Sequence, residues 1–119
     1  LDGQIVNFGI DYTVSIDMNA NRYTVLNKAT AALRRYLLRN QYDIGESIMI
    51  TEFYKVLQRV EGVIDVGDVK IVGRTGASYS GVSYDYSKNL SADGRYILAR
   101  PNMIFELKFA NTDIKGAIK

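Results

Sequence analysis

A short helix bracketed by two glycines, between residues 42 and 66, most constrains what this chain can fold into. The apolar residues of the helix recur at the spacing of one helical face, at Phe53, Leu57 and Val60. Thr51 is the expected N-cap, and Gly62 stands where a helix C-terminus needs left-handed backbone, which only glycine adopts without strain. Gly45 marks the turn before the helix. The segment is therefore predicted to be a connector between packing elements.

The residues before this connector predict a strand followed by a helix. Residues 4–18 alternate between apolar and polar side chains, which indicates a half-buried strand. Asn19 or Asn21 can cap the next helix, since an Asn side chain accepts a hydrogen bond from a free backbone N–H of the first turn. Residues 22–40 have helical spacing, and their basic residues lie mostly off the apolar stripe.

The residues after the connector predict two further strands. The run 63–72 is rich in valine and isoleucine, but its phase slips at Gly67, which predicts a β-bulge there. Residues 103–109 alternate again and predict the final strand. Between them, residues 73–100 form a long connection rich in Tyr, Ser and Gly, a composition and length typical of functional or mobile loops. Residues 111–119 are expected to be a tail.

These elements predict one α+β domain over residues 1–119, in the order β-α-α-β-β. Each helix has one apolar stripe and each strand one apolar face. The simplest arrangement packs both helices on one face of a small, mostly antiparallel three-stranded sheet. Because the chain begins at Leu1, we expect it to be a C-terminal fragment of a longer protein.

The composition removes several kinds of chemistry. The chain has no cysteine and no histidine, which excludes disulfides, thiolate chemistry and the commonest general base and metal ligand. The carboxylates are explained as solvated turn and strand residues, so we expect neither an enzyme nor a cofactor or metal site. The net charge of +2 does not argue for nucleic acid, and no apolar run approaches the roughly 20 residues that cross a bilayer.

Two sets of residues are candidate interface positions. Tyr79, Tyr84 and Tyr86 lie in the long connection, where Tyr supplies contact area with few rotors and Ser and Gly adapt to a partner. Arg34, Arg35 and Arg39 are the one concentration of positive charge. A solvated helix face or a protein salt-bridge edge explains these arginines better than phosphate or nucleic-acid contact.

The connector resembles the C-terminal region of baseplate J-like proteins, the wedge proteins of contractile-tailed bacteriophages and related injection machines. Their pattern is a helix ending in a Tyr-x-Ile-Gly-Glu turn, followed by a second helix ending in Val-x-Gly-Val-x-x-Val. The matching positions are Ile44, Gly45, Glu46, Ile48, Ile50, Phe53, Val60, Gly62, Val63 and Val66. With the upstream strand and helix, the resemblance covers about residues 10–72 and leaves the Tyr-rich connection unmatched.

The resemblance implies a structural role in the virion tail baseplate, which is assembled in the cytoplasm of the bacterial host. The implied partners are other wedge proteins, with a homodimer or a larger ring as the assembly, and no membrane. It brings no catalytic residues; Gly45 carries over as a turn and Gly62 as a cap. The alternative from another class is a ferredoxin-like regulatory or small-ligand-binding module, which the same element order permits. An RNA-binding sheet is disfavoured, because the predicted open face lacks a pair of stacking aromatics.

Overall fold

The structure is a computed structural model that describes residues 4–119. The described chain forms β1 (Gln4–Ile16), α1 (Arg22–Arg39), β2 (Ile48–Met49), α2 (Ile50–Gln58), β3 (Val63–Gly73), β4 (Tyr96–Ile97), β5 (Met103–Glu106) and β6 (Ile114–Ile118). The predicted α+β class and its two helices are confirmed. The number and order of the strands differ, because the short strands β2, β4 and β6 add to the three predicted ones.

Strand β1 lies at the centre of a mixed four-stranded sheet. One edge of β1 pairs antiparallel with β3, from Phe8 to Ile16. The other edge carries two short parallel strands in succession, with β5 alongside Gln4–Asn7 and β6 alongside Ile10–Val14. Strands β2 and β4 form a separate antiparallel pair. The predicted three-stranded sheet is thus extended by a strand that completes the second edge of β1.

The hydrophobic core lies between one face of β1 and the two helices. The inward-facing residues of β1 are at most 2% exposed: Val6, Phe8, Ile10, Tyr12 and Val14. Most buried residues of the two helices belong to the same cluster: Ala29, Leu33, Leu37, Ile50, Phe53 and Leu57. Val25 of α1 is also buried. Burying such side chains contributes about 1.5–3 kcal/mol each, so this alternation dictates which face of the sheet receives the helices.

Tyr12 ties the first helix to the sheet. Its hydroxyl lies 2.7 Å from the Thr30 hydroxyl and donates to the Leu26 carbonyl at 3.2 Å. Its ring lies over Gly116 of β6, where a Cβ atom would overlap the ring. Burial raises the pKa of the Tyr12 hydroxyl, which keeps it protonated as a donor. The bare backbone of Gly116 therefore lets β6, β1 and α1 meet at one point.

The two helix N-termini are capped differently. The Asn21 side chain accepts hydrogen bonds from the backbone N–H groups of Tyr23 and Thr24, which confirms one of the two predicted caps. The predicted cap at Thr51 is wrong, because the N-cap of α2 is Met49, two residues earlier, and no side chain caps the helix. The Ile50 N–H instead bonds to the Arg95 carbonyl at 2.8 Å, a partner remote in sequence.

The three singled-out glycines lie where the backbone needs them. Gly45 has φ +75° in the predicted turn, and its N–H bonds to the Met103 carbonyl at 2.7 Å. Gly62 has φ +95°, but α2 ends at Gln58, so this glycine forms the turn into β3 and is not the helix cap. The predicted bulge at Gly67 is confirmed by a shift in the β1–β3 register there.

The end of the chain corrects two predictions. Strand β5 ends at Glu106, earlier than predicted, because the Thr112 and Asp113 N–H groups both bond to the Phe109 carbonyl and form a turn. Residues 114–118, predicted as part of a tail, form β6. Five residues that include a glycine carry little strand pattern of their own, and the open edge of β1 supplies the pairing.

Gly62→Ala is expected to lower the free energy of unfolding by more than the about 1–2 kcal/mol that left-handed backbone costs. The added Cβ would lie 2.7 Å from Cγ2 of Val25, so the turn would also have to move against α1. Gly94→Ala is the matched control, since Gly94 has φ +74° but no atom within 4 Å of an added Cβ. Urea unfolding measures both; equal losses would contradict the contact with Val25.

Candidate interaction surfaces

The long connection after β3 is fastened to the N-terminal half of β1. The Arg74 N–H bonds to the Asn7 carbonyl at 3.1 Å, and the Ser80 N–H bonds to Oδ1 of Asn7 at 2.7 Å. The Ser80 hydroxyl donates to the Ile5 carbonyl at 2.7 Å. Because β3 pairs with β1 only from Phe8 onward, these bonds satisfy the edge of β1 that β3 leaves open.

Tyr79 is anchored beside a buried carboxylate. Asp113 is 2% exposed, and its Oδ1 accepts from Nε of Arg74 at 3.2 Å and from the Tyr79 hydroxyl at 2.9 Å. The Tyr79 ring packs edge-on against Phe109 with centroids 5.4 Å apart. The bond to Asp113 raises the pKa of the Tyr79 hydroxyl, because the phenol donates to a carboxylate. The hydroxyl of Tyr79 is therefore committed within the chain.

Tyr84 and Tyr86 pack on the core side of the sheet. Their rings contact each other and Phe105 of β5. Tyr86 is only 9% exposed, and its hydroxyl donates to the Asn7 carbonyl at 3.3 Å. Tyr84 is half-buried, donates to the Leu98 carbonyl, and lies under the Arg100 guanidinium, 5.3 Å from the ring centroid. These contacts extend the hydrophobic core into the connection.

The three tyrosines therefore do not form one exposed surface. Tyr86 is a core residue of its own chain, which contradicts its prediction as an interface position. Tyr79 and Tyr84 keep partly exposed rings, and their role at an interface stays a prediction. The mixture of Tyr, Ser and Gly is typical of a binding loop. The partners of its tyrosines, such as Phe105 and Asn7, lie far away in the sequence, so only the fold shows that the tyrosines pack against them.

The three arginines of α1 divide between two sides of the helix. Arg34 donates to Oδ1 of Asn111 at 3.0 Å and lines a cavity of about 300 Å³ beside β5. Arg35 and Arg39 lie on the other side, along the groove between α1 and α2. The predicted arginine cluster is thus two surfaces, and only the second contains more than one of its members.

The groove between α1 and α2 has a basic rim and an apolar floor. Its volume is about 650 Å³. Lys28 and Arg59 join Arg35 and Arg39 around it, and the floor consists of Ala31, Ala32, Tyr36, Val56 and Val60. Sequence reasoning missed Arg59, because only the crossing of the two helices brings it beside the basic residues of α1. We call this surface the α1–α2 groove.

The charges of the α1–α2 groove are mostly unneutralised. Its one acidic residue, Glu61, lies 3.7 Å from Lys28 through exposed atoms, a weak ion pair. Among residues 4–119, no ion pair involves Arg35, Arg39 or Arg59. The groove therefore combines apolar area with three guanidinium groups that are free to bind an anionic partner.

Over the described part of the chain, no group of three or more His, Cys, Asp or Glu residues could hold a metal ion. Neither described helix is long and apolar enough to cross a membrane. In a surface turn, the hydrogen bond from the Ser91 hydroxyl lowers the pKa of the Asp93 carboxyl.

No protein-family model matches the chain, and a search of curated proteins found no match.

Tyr86→Ser is expected to destabilise the chain by about 3 kcal/mol, because it removes a buried aromatic ring and leaves a cavity beside Phe105. Tyr23→Ser is the matched control, since the Tyr23 side chain is 71% exposed and should tolerate the change. Thermal or urea unfolding measures both variants. A Tyr86→Ser variant as stable as the control would show that Tyr86 is not a core residue.

The stability of the chain is expected to fall in alkaline solution. Burial raises the pKa of the Tyr42 and Tyr86 hydroxyls in the folded chain. Below about pH 10, the pKa of tyrosine in the unfolded chain, both the folded and the unfolded state keep these protons, so the two hydroxyls do not lower the free energy of unfolding. Above it the unfolded chain loses them first, so the free energy of unfolding decreases. Urea midpoints between neutral and alkaline pH measure the loss, and Tyr42→Phe should make it shallower; an identical slope would contradict the cause.

Proposed function

We propose that this domain is a structural component of a contractile-tail baseplate, a rigid module that joins wedge proteins through protein–protein contacts. Its site of action in this proposal is the virion tail, assembled in the host cytoplasm, with other wedge proteins as partners in a dimer or a larger ring. The observation that carries the proposal is the motif at residues 42–66, which builds the turn, the second helix and the turn into β3 as one unit.

The backbone of this motif supports the resemblance. Gly45 and Gly62 both have positive φ, as the pattern requires at its two glycines. Gly62 also accepts a hydrogen bond from the Asp17 N–H at 3.0 Å, which ties the motif to the end of β1. A motif that fixes helix and sheet in one orientation suits a rigid building block.

Exposed apolar side chains support a role in assembly. Three of the most exposed ones lie where β1 ends, α1 begins and β3 begins: Met18, Tyr23 and Ile64. Apolar side chains that are exposed together at one end of a domain are typical of protein–protein interaction sites. This end of the domain is therefore the first proposed contact surface, and the α1–α2 groove is the second.

Association is tested with the purified domain and the products of the genes beside its own. Native mass spectrometry and sedimentation at micromolar protein should detect a homo-oligomer or a complex with a neighbouring tail protein. A strictly monomeric domain that binds no neighbour, and that a metabolite stabilises in a thermal-shift screen, would overturn the proposal in favour of a ligand-binding module. The cavity beside Phe8, Leu37 and Tyr42 would then be the place to look for the ligand.

Replacing Met18, Tyr23 and Ile64 together with Ser is expected to weaken this association at least tenfold while the melting temperature changes little, since all three side chains are exposed. The matched control replaces Leu90 and Leu98 with Ser, which are exposed elsewhere on the molecule. Equal association of both variants would remove the first contact surface from the proposal.

A further inference from the structure

The dimensions of the α1–α2 groove match one helix. Lys28 and Arg39 lie three turns apart on α1, which corresponds to about 16 Å along the helix axis. Arg59 follows the last turn of α2 on the other side. Three basic side chains therefore stand along the α1 wall and one, Arg59, stands at the end of the α2 wall, and a third helix of about three turns would fill the length.

The floor of the α1–α2 groove allows the backbone of a third helix to approach closely. Ala31 and Ala32 place only methyl groups beside the cations of α1, and Tyr36, Val56 and Val60 complete an apolar strip. Packed helices lie about 8–10 Å apart, depending on the side chains at the contact. An apolar stripe on the incoming helix would be buried here, whereas a bare phosphate backbone would leave this strip uncovered by apolar atoms.

The positive charge of the groove favours acidic residues on the flanks of the incoming helix. Arg35, Arg39 and Arg59 have no ion-pair partner among the described residues. Acidic residues beside the apolar stripe of a partner would meet them, and guanidinium groups bind carboxylates through paired hydrogen bonds. The groove thus fits an amphipathic helix with Asp or Glu on both sides of its apolar stripe.

A second copy of this chain does not supply such a helix. Helix α1 has five basic residues and no acidic one: Arg22, Lys28, Arg34, Arg35 and Arg39. Helix α2 has one Glu and one Lys, so it has no acidic face either. Docking either helix of a second copy into the groove would set like charges together or leave the arginines unpaired. Neither α1 nor α2 of a second copy therefore fits the groove.

We infer that the α1–α2 groove binds an acidic amphipathic helix of a partner protein, held by its apolar stripe on the floor and by carboxylates on the basic rim. The inference rests on the proposed function only in that the domain works by contacting another protein. It adds the chemistry of that partner, which the proposed function leaves open.

The test uses a fluorescent synthetic helix of about 18 residues. Its apolar stripe consists of Leu and Ala, and every flanking position is Glu; the control peptide has the same stripe with Lys at every Glu. Fluorescence anisotropy with the whole domain should give micromolar binding of the acidic peptide and at least tenfold weaker binding of the basic one. Binding of both peptides with equal affinity would overturn the inference.

Charge-reversal variants locate the binding. The triple variant Arg35→Glu, Arg39→Glu and Arg59→Glu should weaken binding of the acidic peptide at least tenfold. The matched control, Arg22→Glu, Lys88→Glu and Arg95→Glu, changes the net charge equally at exposed positions outside the groove and should bind as the unchanged domain does. Equal loss in both variants would mean that only overall charge attracts the peptide, and would overturn the inference.

Ala31→Trp separates a docked helix from a general polyanion. The indole would cover the floor while all the cations remain, so binding of the acidic peptide should be lost. A single-stranded DNA oligonucleotide provides the comparison, since phosphate contacts need only the charges. If Ala31→Trp leaves peptide binding unchanged, or if the domain binds DNA and not the peptide, the inference is wrong. Circular dichroism of each variant confirms that the domain is folded.

This outcome is distinguishable from failure of the proposed function. A domain that assembles with neighbouring tail proteins but ignores the acidic peptide would keep its proposed role and lose this groove as a helix site. If the domain binds the peptide through the groove but joins no tail protein, the groove is a helix-binding site and the proposed baseplate function is wrong.

Discussion

Backbone pairing along both edges of β1 is the constraint on which the rest of the structure depends. One edge is satisfied by β3 and by the connection that follows it, and the other by β5 and β6 in succession. A buried strand cannot leave these N–H and C=O groups unpaired without a cost of about 1–3 kcal/mol for each. Segments with little strand pattern of their own are therefore drawn into pairing with β1.

The alternation of side chains along β1 then decides where the helices lie. Its inward residues form the floor of the core, and Tyr12 fixes α1 through Thr30 while Tyr36 of α1 packs edge-on against Phe53 of α2. These contacts set the crossing of the two helices. The α1–α2 groove is a consequence of that crossing, since it brings Arg59 to the side of the molecule where Arg35 and Arg39 project.

The connection between β3 and β5 changes the picture of where contacts form. The hydroxyls of its tyrosines Tyr79, Tyr84 and Tyr86 bond to Asp113, Leu98 and Asn7 of the same chain, so these side chains are held within the domain itself. The surfaces left for a partner lie on the helices and at the end of the sheet. In the proposed assembly role, contacts on packed helices would be held more rigidly than contacts on a loop.

The sequence by itself determined the parts of the structure that depend on local chemistry. Alternation in β1, the stripe of α1, the Asn21 cap and the positive φ of Gly45 and Gly62 all follow from neighbouring residues, as does the bulge at Gly67. Only the tertiary structure decided that residues 114–118 pair with β1, that Arg95 replaces Thr51 at the start of α2, that Tyr86 belongs to the core, and that the arginines of α1 divide between two surfaces. Each of these depends on groups far apart along the chain, whose meeting is set by the pairing of β1 and by the packing of the helices, and no local pattern of residues records that meeting.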